Sequence, residues 1–459
     1  MKKVDVKTEK QWRNGTESGQ NVVKMGGMMQ GTVAKADEKT GKVLFWLAWL
    51  VYFSSYLGRL NYSSAMSSIL QENILTTAQA GAISMAYFFA YGIGQLCNGI
   101  LGDLGRPEKM VFFGLFGAGL ANLLMGNVRT FPVMIALWGI NGYLQSMIWP
   151  PIIRIFAERY TADQKMKYIV NIASSMAIGT LTSYFLSACA IRLWGWSSVF
   201  LVASAIMIPL SVLWIAGFCR VDLCMQKGEA AASSSERKIR SIKENESEGN
   251  CGEKSAGAAP FGKLLTSSGL LLILFPVLIH GMLKDGVTQW VPTYISDRYA
   301  VSASFSVILT MVLPLINLSG AYLARFAQKK NPDREMENSA VFFAVAAMAL
   351  CGLLLLNGVS AVLSVLLFAV ITSCMLAVNT LYVSMIPMHF EAAHRVSTVS
   401  GFLNAVAYIG SAVSTFLIGV LVERGGWPVT MGSWILATVA ALAVAVVFRK
   451  KCFGYSDPD

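Results

Sequence analysis

Arg59 and Lys284 are the two basic residues of this 459-residue chain that fall inside apolar runs long enough to cross a bilayer. A cation in a hydrocarbon layer is costly, and it persists where it faces a protein interior or a wet cavity and meets negative charge. Arg59 lies about 15 residues past Leu44 and Lys284 about as far past Gly269, the starts of their runs, so each stands roughly 22 Å along its helix. Equal depth suits a shared site, and two cations at that depth point to an anionic ligand. Tyr52, Tyr56 and Arg59 stand at i, i+4 and i+7, hence on one helical face. Phenol hydroxyls beside a guanidinium make a hydrogen-bonding wall for an oxyanion. The competing readings are a side chain that snorkels to the interface and an aromatic packing stripe.

The elements that must carry this pair are transmembrane helices. Hydrophobic residues make up 55% of the chain and charged residues 14%, with a mean hydropathy of +0.55; soluble domains are about 25% charged. Apolar runs occur near 44–66, 78–101, 110–127, 131–153, 168–190 and 198–219, and again near 264–295, 303–325, 339–357, 360–386, 398–422 and 427–448. Between the two sets lies the polar segment AASSSERKIRSIKENESEGN, which cannot bury a core. The expected organisation is an N-terminal extension (1–43), a six-helix bundle (44–219), a linker (220–262), a second six-helix bundle (263–448) and a tail (449–459).

Apart from Arg59 and Lys284, all but four of the Lys and Arg residues (Arg129, Arg192, Arg298 and Arg424) fall on the side that holds both termini and the linker. The positive-inside rule then puts the termini in the cytoplasm and the chain in the cell membrane. The net charge of +11 is accounted for by that topology and needs no nucleic-acid partner. No removable signal peptide is seen ahead of the first span. The eight Cys show no CxxC spacing, His280, His389 and His394 are scattered, and no Walker-type loop occurs. Neither metal nor cofactor is expected, and no nucleophile–base pair suggests an enzyme. The expected partners are a small anionic substrate and the lipid bilayer, with the chain acting as a monomer.

At the second turn on the terminus side the chain reads GILGDLGRPEKM, from Gly99 to Met110. It resembles the loop signature of the major facilitator superfamily, in which Gly99 would permit close helix approach, Asp103 would accept from a facing helix N-terminus and Arg106 would hold that gate. Within the superfamily, the segments YLGRLNYSSAM, QSMIWPPIIR, VNIASSMAIG, MLKDGVTQWVPTY and GFLNAVAYIGS resemble the organophosphate:phosphate antiporters. The resemblance implies twelve transmembrane helices in two pseudo-symmetric six-helix bundles. It puts Arg59 and Lys284 on the family's two phosphate-reading positions. It also implies cavity-lining roles for Tyr91, Trp149 and Tyr408. Gln145, Asn171 and Asn404 are polar side chains within apolar runs, to be read either as ligand contacts or as helix–helix glue, and Gln95 and Ser174 are further expected substrate contacts. The Trp149-Pro150-Pro151 turn is expected to end or kink the fourth helix.

Departures from the family pattern bear on specificity. Gln95 and Leu60 stand where the family commonly has lysines, Ser174 where it can have a histidine, and Lys284 replaces a planar fork with a point charge. Asp285, beside Lys284, is an added acid. Adjacent helical residues point about 100° apart, so these two are not expected to pair face to face; pairing with another helix or carrying a proton are the alternatives. The resemblance implies a secondary transporter that exchanges an organic phosphate or related anion for inorganic phosphate by alternating access. A transporter-fold sugar-phosphate sensor and a proton- or cation-coupled anion symporter or exporter are the rival readings.

Overall fold

The structure is a computed structural model that describes residues 38–160, 162–240, 269–332, 334–356, 358–390 and 396–449. The expected N-terminal extension up to residue 37, the linker beyond Arg240 and the tail beyond Arg449 lie outside the described residues.

A backbone in lipid finds no water to bond, so it must satisfy itself within each segment. Every described element is accordingly helical: α1 (Glu38–Gln71), α2 (Thr77–Leu104), α3 (Pro107–Met125), α4 (Phe131–Ser146), α5 (Trp149–Arg159), α6 (Ala162–Trp194) and α7 (Ser197–Arg240) in the first half. The second half holds α8 (Leu270–Gly281), a π-helical turn (Met282–Gly286), α9 (Val287–Tyr299), α10 (Ala303–Thr310), α11 (Val312–Lys330), α12 (Glu335–Leu355), α13 (Ala361–Asn379), further π and 3₁₀ turns to Phe390, and α14 (Val396–Val447).

By length and apolarity, 10 described helices can cross a membrane. Local chemistry explains the difference from the twelve expected spans. Pro150 and Pro151 remove amide donors at the start of α5, so α4 and α5 together make one kinked crossing. Gly426, at φ 70° and ψ −176°, breaks the 52-residue α14 into two limbs just before Pro428. The outward faces carry exposed Phe113, Leu124, Phe185, Tyr322 and Leu436, as a lipid solvent allows.

In the first half α1 packs on α6 and α7, α2 on α4, and α3 on α4 and α7; in the second α8 packs on α14, α11 on α13, and α12 on α13 and α14. The halves meet through α1 with α9, α2 with α14, and α6 with α10. Their hydrogen bonds cluster at the end away from the termini. Ser63 Oγ donates to Gln289 O at 2.6 Å, Gln71 Nε2 to Ser296 Oγ at 2.9 Å, Ser304 Oγ to Ala188 O at 2.8 Å, and Ala78 N to Glu423 Oε2 at 2.9 Å. The cleft is thus closed at the end away from the termini.

Candidate anion-binding site

Arg59 sits on α1 because the residue before it is clamped. Gly58 O accepts from Asn141 Nδ2 at 3.0 Å and from Asn122 Nδ2 at 3.4 Å, and Asn61 Nδ2 donates to Asn122 Oδ1 at 2.7 Å. A Cβ on Gly58 would crowd the side chains of Met207 and Asn122, so a larger residue would have to displace them. Gln145 Nε2 extends the chain to Asn141 Oδ1 at 3.3 Å, and Tyr87 OH donates to Gln145 Oε1 at 3.4 Å. These buried amides tie α1, α2, α3 and α4 together beneath the guanidinium, the glue role expected of amides between membrane helices.

The guanidinium itself is caged by rings. Its Cζ lies 5.8, 5.9, 4.8 and 5.7 Å from the ring centroids of Tyr56, Tyr87, Tyr91 and Tyr408, and Nη2 donates to Tyr408 OH at 3.4 Å. Cation–π attraction holds the charge without neutralising it. No carboxylate among the described residues comes within ion-pair distance of Arg59.

Lys284 occupies the π-helical turn, whose i→i+5 spacing leaves carbonyls short of helical donors. The second half fills that gap: Ser411 Oγ donates to Gly281 O at 2.9 Å and Ser414 Oγ to Met282 O at 3.2 Å, both from α14. Close packing makes this possible, because a Cβ at Gly281 would strike the Ala407 backbone and one at Gly286 would strike Ser414. The widened turn also corrects the expectation that Lys284 and Asp285 cannot pair. Lys284 Nζ lies 2.8 Å from Asp285 Oδ2, since a π turn splays neighbours less than an α turn and the lysine stem is long and flexible.

Arg59 and Lys284 line one cavity of about 340 Å³ with Asp285, Tyr52, Tyr56, Tyr91, Gln95, Trp149, Asn404 and Tyr408. The volume falls within the range of small-molecule sites. Tyr52 packs on Trp149 with centroids 4.6 Å apart and on Tyr56 at 5.5 Å, so the stripe both packs and faces the cavity. Gln145, Asn171 and Ser174 are not among the lining residues. Gln145 is buried in the amide chain, Asn171 and Ser174 are exposed on α6 nearer the terminus side, and Trp49 Nε1 donates to Ser174 Oγ at 2.9 Å. Gly99 and Asp103 lie toward the C-terminal end of α2, where the surroundings of both are outside the described residues, and Arg106 is an exposed N-cap of α3 without a side-chain cap bond. The C-terminal carbonyl there, Gly105 O, accepts instead from Arg154 Nη1 at 3.1 Å.

Thr180, Tyr184, Thr288, Asn317 and Asn379 also line the cavity, and Tyr87 stands behind Arg59. Tyr87 carried a signal, one helical turn before Tyr91. Asn317 and Asn379 carried one only as amides in apolar runs, a mark that does not tell which way a side chain faces. His280, fully buried, lies 3.1 Å from Asn379 Oδ1 through Nε2 and so borders the cavity from behind.

A central cleft between two helical halves, with one basic residue from the first span of each, is the geometry of a carrier. The family model described as Major Facilitator Superfamily matches residues 48–415. The chain belongs to that superfamily. Among curated relatives of this facilitator, a probable hexose phosphate transport protein of Chlamydia muridarum is 22% identical over 88% of the chain and 89% of its own length. A membrane sensor protein of Escherichia coli is 20% identical over 86% and 88%, and the glycerol-3-phosphate transporter of Bacillus subtilis 23% identical over 86% and 88%. Among solved structures, a bacterial homologue of the human lysosomal transporter Spinster, inward-facing and unoccupied, covers 92% of the facilitator and 100% of its own chain at a TM-score of 0.72 and 12% identity. That likeness bears on the fold alone.

Proposed function

We propose that this chain is a secondary transporter that carries a small organic phosphate, of the hexose phosphate or glycerol phosphate class, in exchange for inorganic phosphate by alternating access. The observation that carries the reading is the convergence of Arg59 and Lys284, one from each half, on one cavity. An oxyanion lying between them draws the halves together, and the side-chain amides of Gln95, Asn317 and Asn404 meet the hydroxyls of the organic part. The relatives named for hexose phosphate and glycerol-3-phosphate transport support the same substrate class. The distribution of Lys and Arg supports a place in the cell membrane with both termini cytoplasmic, and the chain is taken to act as a monomer.

Among the described residues Arg59 has no carboxylate within ion-pair distance. Closing both ends around an unmatched cation strips its water at high cost, whereas a bound anion supplies the match. Exchange is therefore favoured over return of the empty carrier. Proteoliposomes loaded with inorganic phosphate are expected to take up labelled glucose 6-phosphate or glycerol 3-phosphate, and vesicles without internal phosphate are not. Equal uptake by empty vesicles contradicts the exchange reading. The relative named as a membrane sensor supports a second reading, ligand binding without flux, which the same vesicles distinguish.

A further inference from the structure

Lys284 brings its own counter-ion to the cavity. Asp285 Oδ2 lies 2.8 Å from Lys284 Nζ, and Ser411 Oγ of α14 stands 3.5 Å from the same oxygen. Three of the described lining residues carry charge, Arg59, Lys284 and Asp285, which leaves one net positive charge. The groups that act on Asp285 from the packed elements are Lys284 and His280 on its own span, Arg59 on α1 and Tyr408 on α14.

A dianion entering this cavity would leave one negative charge unmatched when the halves close and water leaves, and unmatched charge in a poorly polarisable interior is costly. A monoanion balances the site. We infer that Asp285 limits the site to one net negative charge, substrate and accompanying proton counted together, so that an organic phosphate is taken as its monoanion. The proton can ride on the phosphate or pass to Asp285 when the phosphate displaces it from Lys284; the atoms and the charge of the bound complex are the same. The inference rests on the organic-phosphate reading above and adds to it a charge state and a residue that sets it.

The test compares an ester that titrates with one that does not. A phosphate monoester loses its second proton near pH 6, while the sulfate ester of the same sugar stays a monoanion. Titration calorimetry on the purified full-length protein with glucose 6-phosphate and glucose 6-sulfate, from pH 5.5 to 8, gives the two affinity profiles. The expected phosphate affinity falls roughly tenfold per pH unit above about pH 6, and the sulfate affinity stays flat, which sets aside titration of His280 or the tyrosines as the cause. Asp285→Asn is expected to abolish the fall and to favour the phosphate dianion over the sulfate at pH 8 by tenfold or more. Phosphate affinity that is constant or rises with pH in the parent overturns the inference while leaving the transporter reading intact. Binding of neither ester at any pH overturns the organic-phosphate reading and the inference with it. The parent profiles decide the matter even where the asparagine variant does not fold.

Discussion

Arg59 does two jobs that a lysine cannot combine: it presents a planar fork to an oxyanion and stacks its face within reach of Tyr56, Tyr87, Tyr91 and Tyr408. Arg59→Lys keeps the charge and loses both, so exchange is expected to fall at least tenfold, equivalent to about 1.4 kcal/mol, with unchanged protein yield. Exchange within twofold of the parent would show that charge alone suffices. Gln145 supplies a contrast. Its side chain joins Asn141 and Tyr87 outside the cavity lining, so Gln145→Ala is expected to lower thermal stability by about 1 kcal/mol and to change substrate affinity little. A large affinity loss at unchanged stability would return Gln145 to the ligand.

The helices were largely legible in the sequence, and the exceptions have local causes. Apolar runs set the crossings, and the Trp149-Pro150-Pro151 break and the Gly426 turn could be read from residues that lack a donor or tolerate positive φ. Arg59 and Lys284 were legible because charge in lipid is rare. The pairing of Lys284 with Asp285 was not, because hydropathy is blind to a π turn that depends on Ser411 and Ser414 hydroxyls from a distant span. Asn171 and Ser174 could not be told from Asn404 by composition, since the three differ only in which face their helix turns to the cleft. Replacing both Ser411 and Ser414 with Ala leaves two carbonyls of the π turn without those donors, at about 0.6 kcal/mol for each lost interhelical bond. The expected result is a lower melting temperature and weaker substrate binding together; a stable variant with parental affinity would remove these hydroxyls from the account of Lys284.

The halves behave as two bodies joined at one end. Glu423, at the end of the first limb of α14, accepts from Ala78 N at 2.9 Å and Thr77 Oγ1 at 3.4 Å, a carboxylate on the N-terminus of α2. Glu423→Gln weakens this latch by about 1 kcal/mol, so a cysteine placed at Thr293, in the cavity between the outer ends, is expected to react several-fold faster with an impermeant thiol reagent. Gln71 and Ser296 meet across the same end at 2.9 Å. Cysteines at these two positions, joined through a short reducible bifunctional thiol reagent that replaces the reach of the glutamine side chain, are expected to form a disulfide-bonded bridge that stops exchange and releases it on reduction. Exchange that continues through the closed disulfide would contradict alternating access about this contact.

The central claim is that Arg59 and Lys284 hold one anion between two halves. A ligand that binds the folded state raises the melting temperature by an amount that grows with the logarithm of its concentration over its dissociation constant. Thermal stabilisation of the parent, Arg59→Ala and Lys284→Ala by a panel of organic phosphates, carboxylates and sulfonates reads that claim in a single format. Stabilisation of the parent by an organic phosphate, with none in either variant, is the expected result. Equal stabilisation of either variant by the same compound would mean that the missing cation does not hold the anion, and the shared site would have to be abandoned.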